Sequence, residues 1–342
     1  MGLAGCAGSN NASGSKTSSQ STTAGKTSTQ SSSSTGGKNQ SVNAASVAGG
    51  DIGLIDQAVM NQGYDSKHGF TLETKKFVSP PKAQQQLVYN KSIDTSWMGE
   101  IIATRLRNKG NKIQLVGPYM NYNSFILTKS GSGISDPQDL AKKRISWASK
   151  ESDGWLKVAV ILKTVYGVDP SKLKFQSVAP PASIDLLAKD QLDAILLPDF
   201  LAIKALTKYD FKIVFYPGKV WKKETGYNLS TVSLAWRNSW YNDNKALGLN
   251  FLKATFDSQK YLAGNMDTVL KKYADFLGIK NDKQMNEAKK LYAITNPFDV
   301  KWSENYRKSG IEVAQRAYDM GLIDKKPTTA IYNNVLPNGY NA

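Results

Sequence analysis

Cysteine and histidine are almost absent from this sequence, with one of each in 342 residues, Cys6 and His68. A structural zinc site draws on several thiolate or imidazole ligands, so zinc is not expected. A single cysteine also rules out an intramolecular disulfide. A Cys-His nucleophilic pair is not expected, because Cys6 lies in a polar tail and His68 in the polar turn Ser66-Lys67-His68-Gly69, where it should face solvent. Long apolar runs are missing too: none approaches the roughly 18 residues of a membrane span, although hydrophobic residues make up an ordinary 40%. No acidic residue occurs before Asp51. The chain nevertheless carries 44 Lys+Arg against 28 Asp+Glu, a formal charge of +16. The basic residues form no block. They fall in scattered pairs such as Lys75-Lys76, Lys142-Lys143, Lys222-Lys223 and Lys271-Lys272. Scattered pairs are solvated faces, and no helix-turn-helix, zinc-finger or RNA-binding signature accompanies them, so nucleic acid is excluded as a partner.

What the first residues do contain is an address. Leu3-Ala4-Gly5-Cys6 is an aliphatic residue, two small residues and a cysteine. The pattern resembles the cleavage site of secreted lipoproteins, where the cysteine becomes N-terminal and lipidated. Only Met1 and Gly2 precede it, so the resemblance implies that most of a signal peptide would be missing from this chain. A Met-Gly start also fits myristoylation, the minor reading. From residue 9 to 46 the chain is mostly Ser, Thr, Gly, Asn and Gln with a few lysines. Such a segment cannot bury enough apolar area to order itself. Residues 1–44 are therefore expected to be a disordered tether, with lipidated Cys6 at its membrane end.

Beyond the tether, strand-like and helix-like patterns alternate. Ser46-Val47-Ala48 reads as the end of a first strand, followed by Gly49-Gly50-Asp51 and a helix with Ile52, Ile55 and Val59 on one face. Residues 70–77 alternate as a strand, and Pro80-Pro81 opens a helix. The pattern then predicts a short strand from Ile93, a helix from Trp97 to Leu106, and strands over 113–116 and 124–127. A second set follows: a strand at 145–147, a helix capped by Ser152-Asp153, a strand at 174–178, a helix after Pro180-Pro181, a strand at 194–197, a helix at 199–206 and strands at 212–215 and 231–235. From residue 242 the chain reads as mostly helical. Alternation of this kind implies an α/β fold with a largely parallel sheet, here in two lobes.

Several of these segments resemble one importer family. Ser92-Ile93-Asp94-Thr95-Ser96-Trp97-Met98-Gly99 followed by a strand, Asp136 through Leu140 and Lys143 before a strand, and Ala179-Pro180-Pro181 followed by Asp190-Gln191-Leu192-Asp193-Ala194 carry the likeness. Leu197-Pro198-Asp199-Phe200 matches the family's Trp-Asp/Glu-Pro-Phe position with the order changed, and Gly321-Leu322-Ile323-Asp324 matches its terminal helix exit. The family is the nitrate, sulfonate, taurine and thiamine-precursor type of ABC substrate-binding protein, and the resemblance spans residues 45–325. It implies a type II periplasmic-binding-protein fold. Lobe I would be 45–125 plus 232–342, with the C-terminal helices packed on it, and lobe II 126–231. The hinge would be two crossing segments near 123–130 and 227–233. It also implies an extracytoplasmic protein that closes on a small molecule and hands it to a membrane permease. No cofactor and no catalytic residue are implied, and the chain should act as a monomer.

Candidate ligand residues follow from position. Helix N-termini after Gly49-Gly50-Asp51, after Ser96 and after Ser152-Asp153 present free N–H groups suited to an anion. Trp97, Met98, Tyr119 and Trp147 offer apolar walls at strand ends. Ser149, Ser152, Asn121 and Asn228 offer polar contacts, Asn123 being a further hinge candidate. Asp51, Asp153 and Asp199 favour a ligand with donors, such as an amine or pyrimidine, although capping accounts for Asp153 equally well. Net positive charge pulls the other way, toward an anion, so the ligand is left as a small anionic or heteroaromatic molecule. Two other readings use the same scaffold. One is a sensor or adhesin. The other is a pyrimidine-precursor synthase, which would depend on a reactive histidine and clustered cysteines that this chain does not have.

Overall fold

The computed structural model describes residues 40–77 and 80–336. Cys6 and most of the expected tether lie outside the described residues. Strands are β1 (Gln40–Val47), β2 (Phe70–Phe77), β3 (Thr95–Met98), β4 (Ile113–Asn121), β5 (Ser124–Lys129), β6 (Arg144–Trp147), β7 (Lys174–Ser177), β8 (Ala194–Pro198), β9 (Phe211–Phe215) and β10 (Ser230–Arg237). Helices are α1 (Gly50–Asn61), α2 (Tyr64–Lys67), α3 (Pro80–Tyr89), α4 (Glu100–Asn108), α5 (Asp153–Tyr166), α6 (Pro180–Ala188), α7 (Asp199–Lys208), α8 (Pro217–Thr225), α9 (Asn238–Asp243), α10 (Lys245–Gly264), α11 (Met266–Lys272), α12 (Ala274–Leu277), α13 (Asp282–Thr295) and α14 (Glu304–Asp319).

The strands form two five-stranded sheets, in orders β2-β1-β3-β10-β4 and β7-β6-β8-β5-β9. Within each, three strands run parallel: β1 with β2 and β3, and β6 with β7 and β8. The strands that enter from the other lobe run against them. β10 is antiparallel to β3 and β4, and β5 is antiparallel to β8 and β9. The sheets are thus mixed, but four strands of each run in one direction and only the crossing strand runs against them, so the largely parallel pattern holds for all but that strand. Each crossing strand arrives from the neighbouring lobe at the end of the sheet where the parallel strands finish, which reverses its direction.

β8 shows why the second sheet is sandwiched. Its run Ala194-Ile195-Leu196-Leu197 is fully buried, and alternate residues join different clusters. Ile195 and Leu197 pack with α6 and α7 residues Ile184, Leu187, Ala202 and Ile203. Ala194 and Leu196 pack with α5 residues Val158, Ala159 and Leu162. A strand with helices on both faces needs apolar side chains at every position, so its sequence reads as an unbroken run.

Five local readings are corrected or extended. β1 begins at Gln40, so residues 40–44 belong to the first strand and not to a tether; all eight residues of β1 pair in register with Phe70 through Phe77. Trp97 is a strand residue opposite Leu234, and the helix begins only after Gly99, whose extended backbone (φ −85°, ψ 169°) forms the break. α8 was not foreseen, because Pro217-Gly218 reads as a turn; proline at the first helical position instead starts the helix. α14 does not pack on lobe I alone. Its Val313, Ala314 and Ala317 join the cluster of Trp155, Leu156 and Trp221 from the second lobe. His68 is also not a solvent-facing residue: its side chain is 17% exposed and its Nε2 lies 2.9 Å from Asp257.

Candidate functional site

In open α/β sheets, ligands bind beyond the carboxyl ends of the strands. Four of the helices that start there are distinguished by their first turn. α1 follows β1 and α4 follows β3 in the first sheet; α5 follows β6 and α7 follows β8 in the second. Each carries an acid in its first turn: Asp51, Glu100, Asp153 and Asp199. All four acids are buried, being 2%, 0%, 3% and 0% exposed. The first two come from one lobe and the last two from the other, and they meet in pairs.

Asp51 and Asp199 meet around Asn123, which with Tyr122 links β4 to β5. The Asn123 amide donates to Asp51 Oδ2 at 2.6 Å and to Asp199 Oδ1 at 3.2 Å. Thr231 donates its hydroxyl to Asn123 Oδ1 at 3.2 Å, which turns the amide nitrogen toward the acids. Tyr292 donates to Asp51 Oδ1, and Thr295 to Asp199 Oδ2 at 3.2 Å, both from α13. Burial, and then the neighbouring Asp51, push the Asp199 carboxyl well above its ordinary value. Two carboxylates that share a dry site disfavour the doubly charged state. Gly50, with φ +72°, lets α1 reach the other lobe: a Cβ there would sit 2.5 Å from the Phe200 ring.

Glu100 and Asp153 meet around Lys157, which is 0% exposed. Lys157 Nζ lies 2.8 Å from Glu100 and 3.8 Å from Asp153. It donates to the carbonyls of Ser230 at 2.9 Å and Thr231 at 3.0 Å, on the second crossing segment. Ser230 and Ser233 donate hydroxyls to Glu100 at 2.8 and 3.1 Å. Asp153 is raised to about 6, by burial first and by Glu100, against the lowering pull of Lys157 and of the α4 amides. The hinge itself is tied where the two crossings touch, Tyr122 N donating to Leu229 O at 2.8 Å.

The residues singled out from sequence divide sharply. Asp51, Asp199, Gly50 and Asn123 come together between the lobes. Gly49 precedes α1 in extended conformation and is half-buried. Trp147 is half-buried and donates to Ser152 at 2.7 Å. Ser152 in turn donates to the Ser149 carbonyl at 2.9 Å and caps α5. The others are not brought to the paired acids between the lobes. Ser96 donates to the Ala83 carbonyl at 3.3 Å, against α3. Trp97 and Met98 belong to the first lobe's core. Tyr119 donates to Asp56 at 2.7 Å beneath α1. Asn121 fastens the loop after α13 through the carbonyls of Asn296 and Asp299. Asn228 is exposed, and only its carbonyl is engaged, by Ser309. Glu100, Lys157 and Tyr292 went unnoticed in sequence, and Phe200 entered only as part of the Leu197-Pro198-Asp199-Phe200 match. For Lys157 a signal existed, since it interrupts the apolar face of α5 beside Leu156 and Val158.

Among the described residues no group of three or more His, Cys, Asp or Glu is placed to hold a metal ion. A groove of about 550 Å³ lies elsewhere, between α10 and residues 296–301, lined by Phe256, Gln259, Phe298 and Lys301. It lies apart from the helix starts that carry the four buried acids.

No curated protein matches the sequence. Solved structures match the fold. The periplasmic aliphatic sulphonate binding protein SsuA from Escherichia coli is 14% identical with a TM-score of 0.65, over 88% of this chain and 94% of its own. The alkanesulfonate-binding protein SsuA from Xanthomonas axonopodis pv. citri, bound to MOPS, is 14% identical with a TM-score of 0.69, over 86% and 98%. The Candida albicans CA3427 gene product, described as having the generic periplasmic binding protein fold, is 17% identical with a TM-score of 0.62, over 88% and 98%. The two hinged sheets are the periplasmic-binding-protein fold. Residues 59–268, more than half of the chain, match the NMT1/THI5 like family model, and the chain belongs to that family.

Proposed function

We propose that the chain is the extracytoplasmic substrate-binding component of an ABC importer, a clamp that closes on a small organic molecule and delivers it to a membrane permease. The observation that carries this reading is that strand-end helix starts from the two lobes meet beside the two crossing segments, with a buried acid from each lobe in both contacts. Such a contact assembles on closure and comes apart on opening, which binding-driven selection of one state requires. Its structural neighbours from Escherichia coli and Xanthomonas bear names of sulfonate-binding proteins, which supports the same role here. We assign the ligand's first contacts to half-buried residues at the strand ends: Gly49 before α1, Trp147 and Ser149 at the end of β6, and Phe200 in α7. Cys6 carries lipid and residues before β1 serve as the tether. The protein binds and releases its ligand without chemical change, as a monomer.

A thermal-shift screen of small organic acids, amines and pyrimidines tests the reading. A ligand bound only by the folded state adds about 2.7 kcal/mol at a hundredfold excess over Kd. A saturable rise with one class supports the reading, as does co-purification of the loaded protein with its permease. Turnover of a bound compound to a new product would overturn it.

A further inference from the structure

α4 begins without a cap of its own. Its N-cap is Gly99, which has no side chain to offer. α5, α13 and α14 are by contrast capped by Ser152, Asn281 and Ser303. Uncapped N–H groups at the start of a nine-residue helix attract an anion. The group that fills this place comes from the opposite lobe. Asp153 Oδ1 accepts from Ile102 N at 3.4 Å, and Ile101 N also bonds to the same carboxyl. The approach is so close that a Cβ on Gly99 would fall 1.0 Å from Asp153 Oδ2. Asp153 is not needed by its own helix, which Ser152 already caps.

The other half of this carboxyl is idle. Oδ2 is buried and has no hydrogen-bond partner among the described residues. The nearest cation, Lys157, lies 3.8 Å away and is committed to Glu100 at 2.8 Å. A neutral capping residue would satisfy the α4 amides without leaving a buried acceptor unmatched. The feature is therefore an anion seat, two amides and a lysine, with an anion already in it.

We infer that Asp153 is a specificity-determining residue: its carboxylate takes the seat that a ligand's sulfonate, carboxylate or nitrate group would occupy at the start of α4, so the clamp refuses anionic ligands there. The inference rests on the importer reading for its biological meaning, but the seat can be tested separately. A ligand reaching this end of the cleft is neutral or cationic.

The experiment compares the wild type with Asp153→Ala and Asp153→Asn, using methanesulfonate, taurine, acetate and nitrate as probes at matched ionic strength. For the wild type, none of the four raises the melting midpoint above a chloride control. Asp153→Ala melts lower, and methanesulfonate or acetate restores it saturably, by roughly 5 °C or more at a hundredfold excess over Kd. Asp153→Asn keeps the shape of the side chain, folds, and responds less than Asp153→Ala because its amide still blocks the seat. Saturable binding of methanesulfonate or taurine to the wild type overturns the inference while leaving the importer reading in place. A folded Asp153→Ala that ignores all four anions also overturns it. If Asp153→Ala does not fold, the wild-type titrations and Asp153→Asn decide. An anion response in Asp153→Ala, with a wild type indifferent to small molecules of every charge, keeps the inference and overturns the importer reading.

Discussion

Replacing Lys157 by methionine removes the cation at the centre of the lobe junction and leaves its surroundings in place. Methionine is close in length and cannot donate. Glu100, 0% exposed, would then be a buried carboxylate with only the hydroxyls of Ser230 and Ser233 for support. The carbonyls of Ser230 and Thr231 would also lose their donor. Removing one partner of a buried ion pair costs about 3–5 kcal/mol, chiefly because the remaining charge stays desolvated. At roughly 2–4 °C per kcal/mol for a chain of this size, the melting midpoint falls by roughly 6–20 °C. The double variant Glu100→Gln/Lys157→Met has no stranded charge. It should recover much of the loss, giving a coupling of about 2 kcal/mol or more in a double-mutant cycle. Calorimetry or circular dichroism melts supply the numbers. A single variant within about 1 kcal/mol of wild type, or a double variant equal to the sum of the two singles, would refute the placement of this pair in a dry junction.

Three further outcomes follow. Asp56, which accepts from Ser46 and Tyr119, is raised to about 6 from 3.8 by burial, so the folded state holds its proton more tightly than the unfolded one. The stability this gives is fully present below about pH 4 and is lost as pH rises to about 6, amounting to about 3 kcal/mol; urea midpoints of Asp56→Asn should lack this slope, and an unchanged slope would show that Asp56 is not the source. Gly99→Ala places a methyl group on the Asp153 carboxyl, so small-angle scattering should show a larger radius of gyration as the lobes part; an unaltered profile with an unaltered melt would contradict the close approach. Gly50→Ala combines a φ of +72° with contact on Phe200; it should lower stability by about 1–3 kcal/mol, and a neutral result would mean that the α1 start does not touch the second lobe.

The alternation of elements was legible because each buried strand, such as Ala194 through Leu197, must be apolar on both faces. Periodicity misplaced Trp97, since Trp97, Met98, Ile101 and Ile102 fit a helical stripe as well as a strand followed by a helix. Only the extended Gly99 between them separates the two. In the site, Asp51 and Asp199 were legible as acids at helix starts. What they contact was not, because Asn123 lies 72 and 76 residues away from them and Tyr292 lies 241 residues from Asp51. Asp153 shows the same limit most clearly. At the first position of α5 it reads as a local cap, yet its carboxyl serves a helix 51 residues earlier in the chain. Lys157 was lost to a general expectation that lysines are solvated, which fails when a carboxylate from another lobe supplies its partner. Cross-lobe pairings leave no local pattern, so a single sequence cannot announce them.

The central claim is that two lobes turn about the 121–124 and 229–230 crossings to close on a ligand. Single-molecule energy transfer tests it most directly, with dyes on cysteines replacing Glu73 and Lys189, both exposed and one on each lobe, in a Cys6→Ser background. Two populations exchanging without ligand, collapsing to the higher-transfer one when a stabilising small molecule is added, is the predicted result. A single transfer efficiency that no ligand moves, in a protein whose melting midpoint does respond to that ligand, would contradict it.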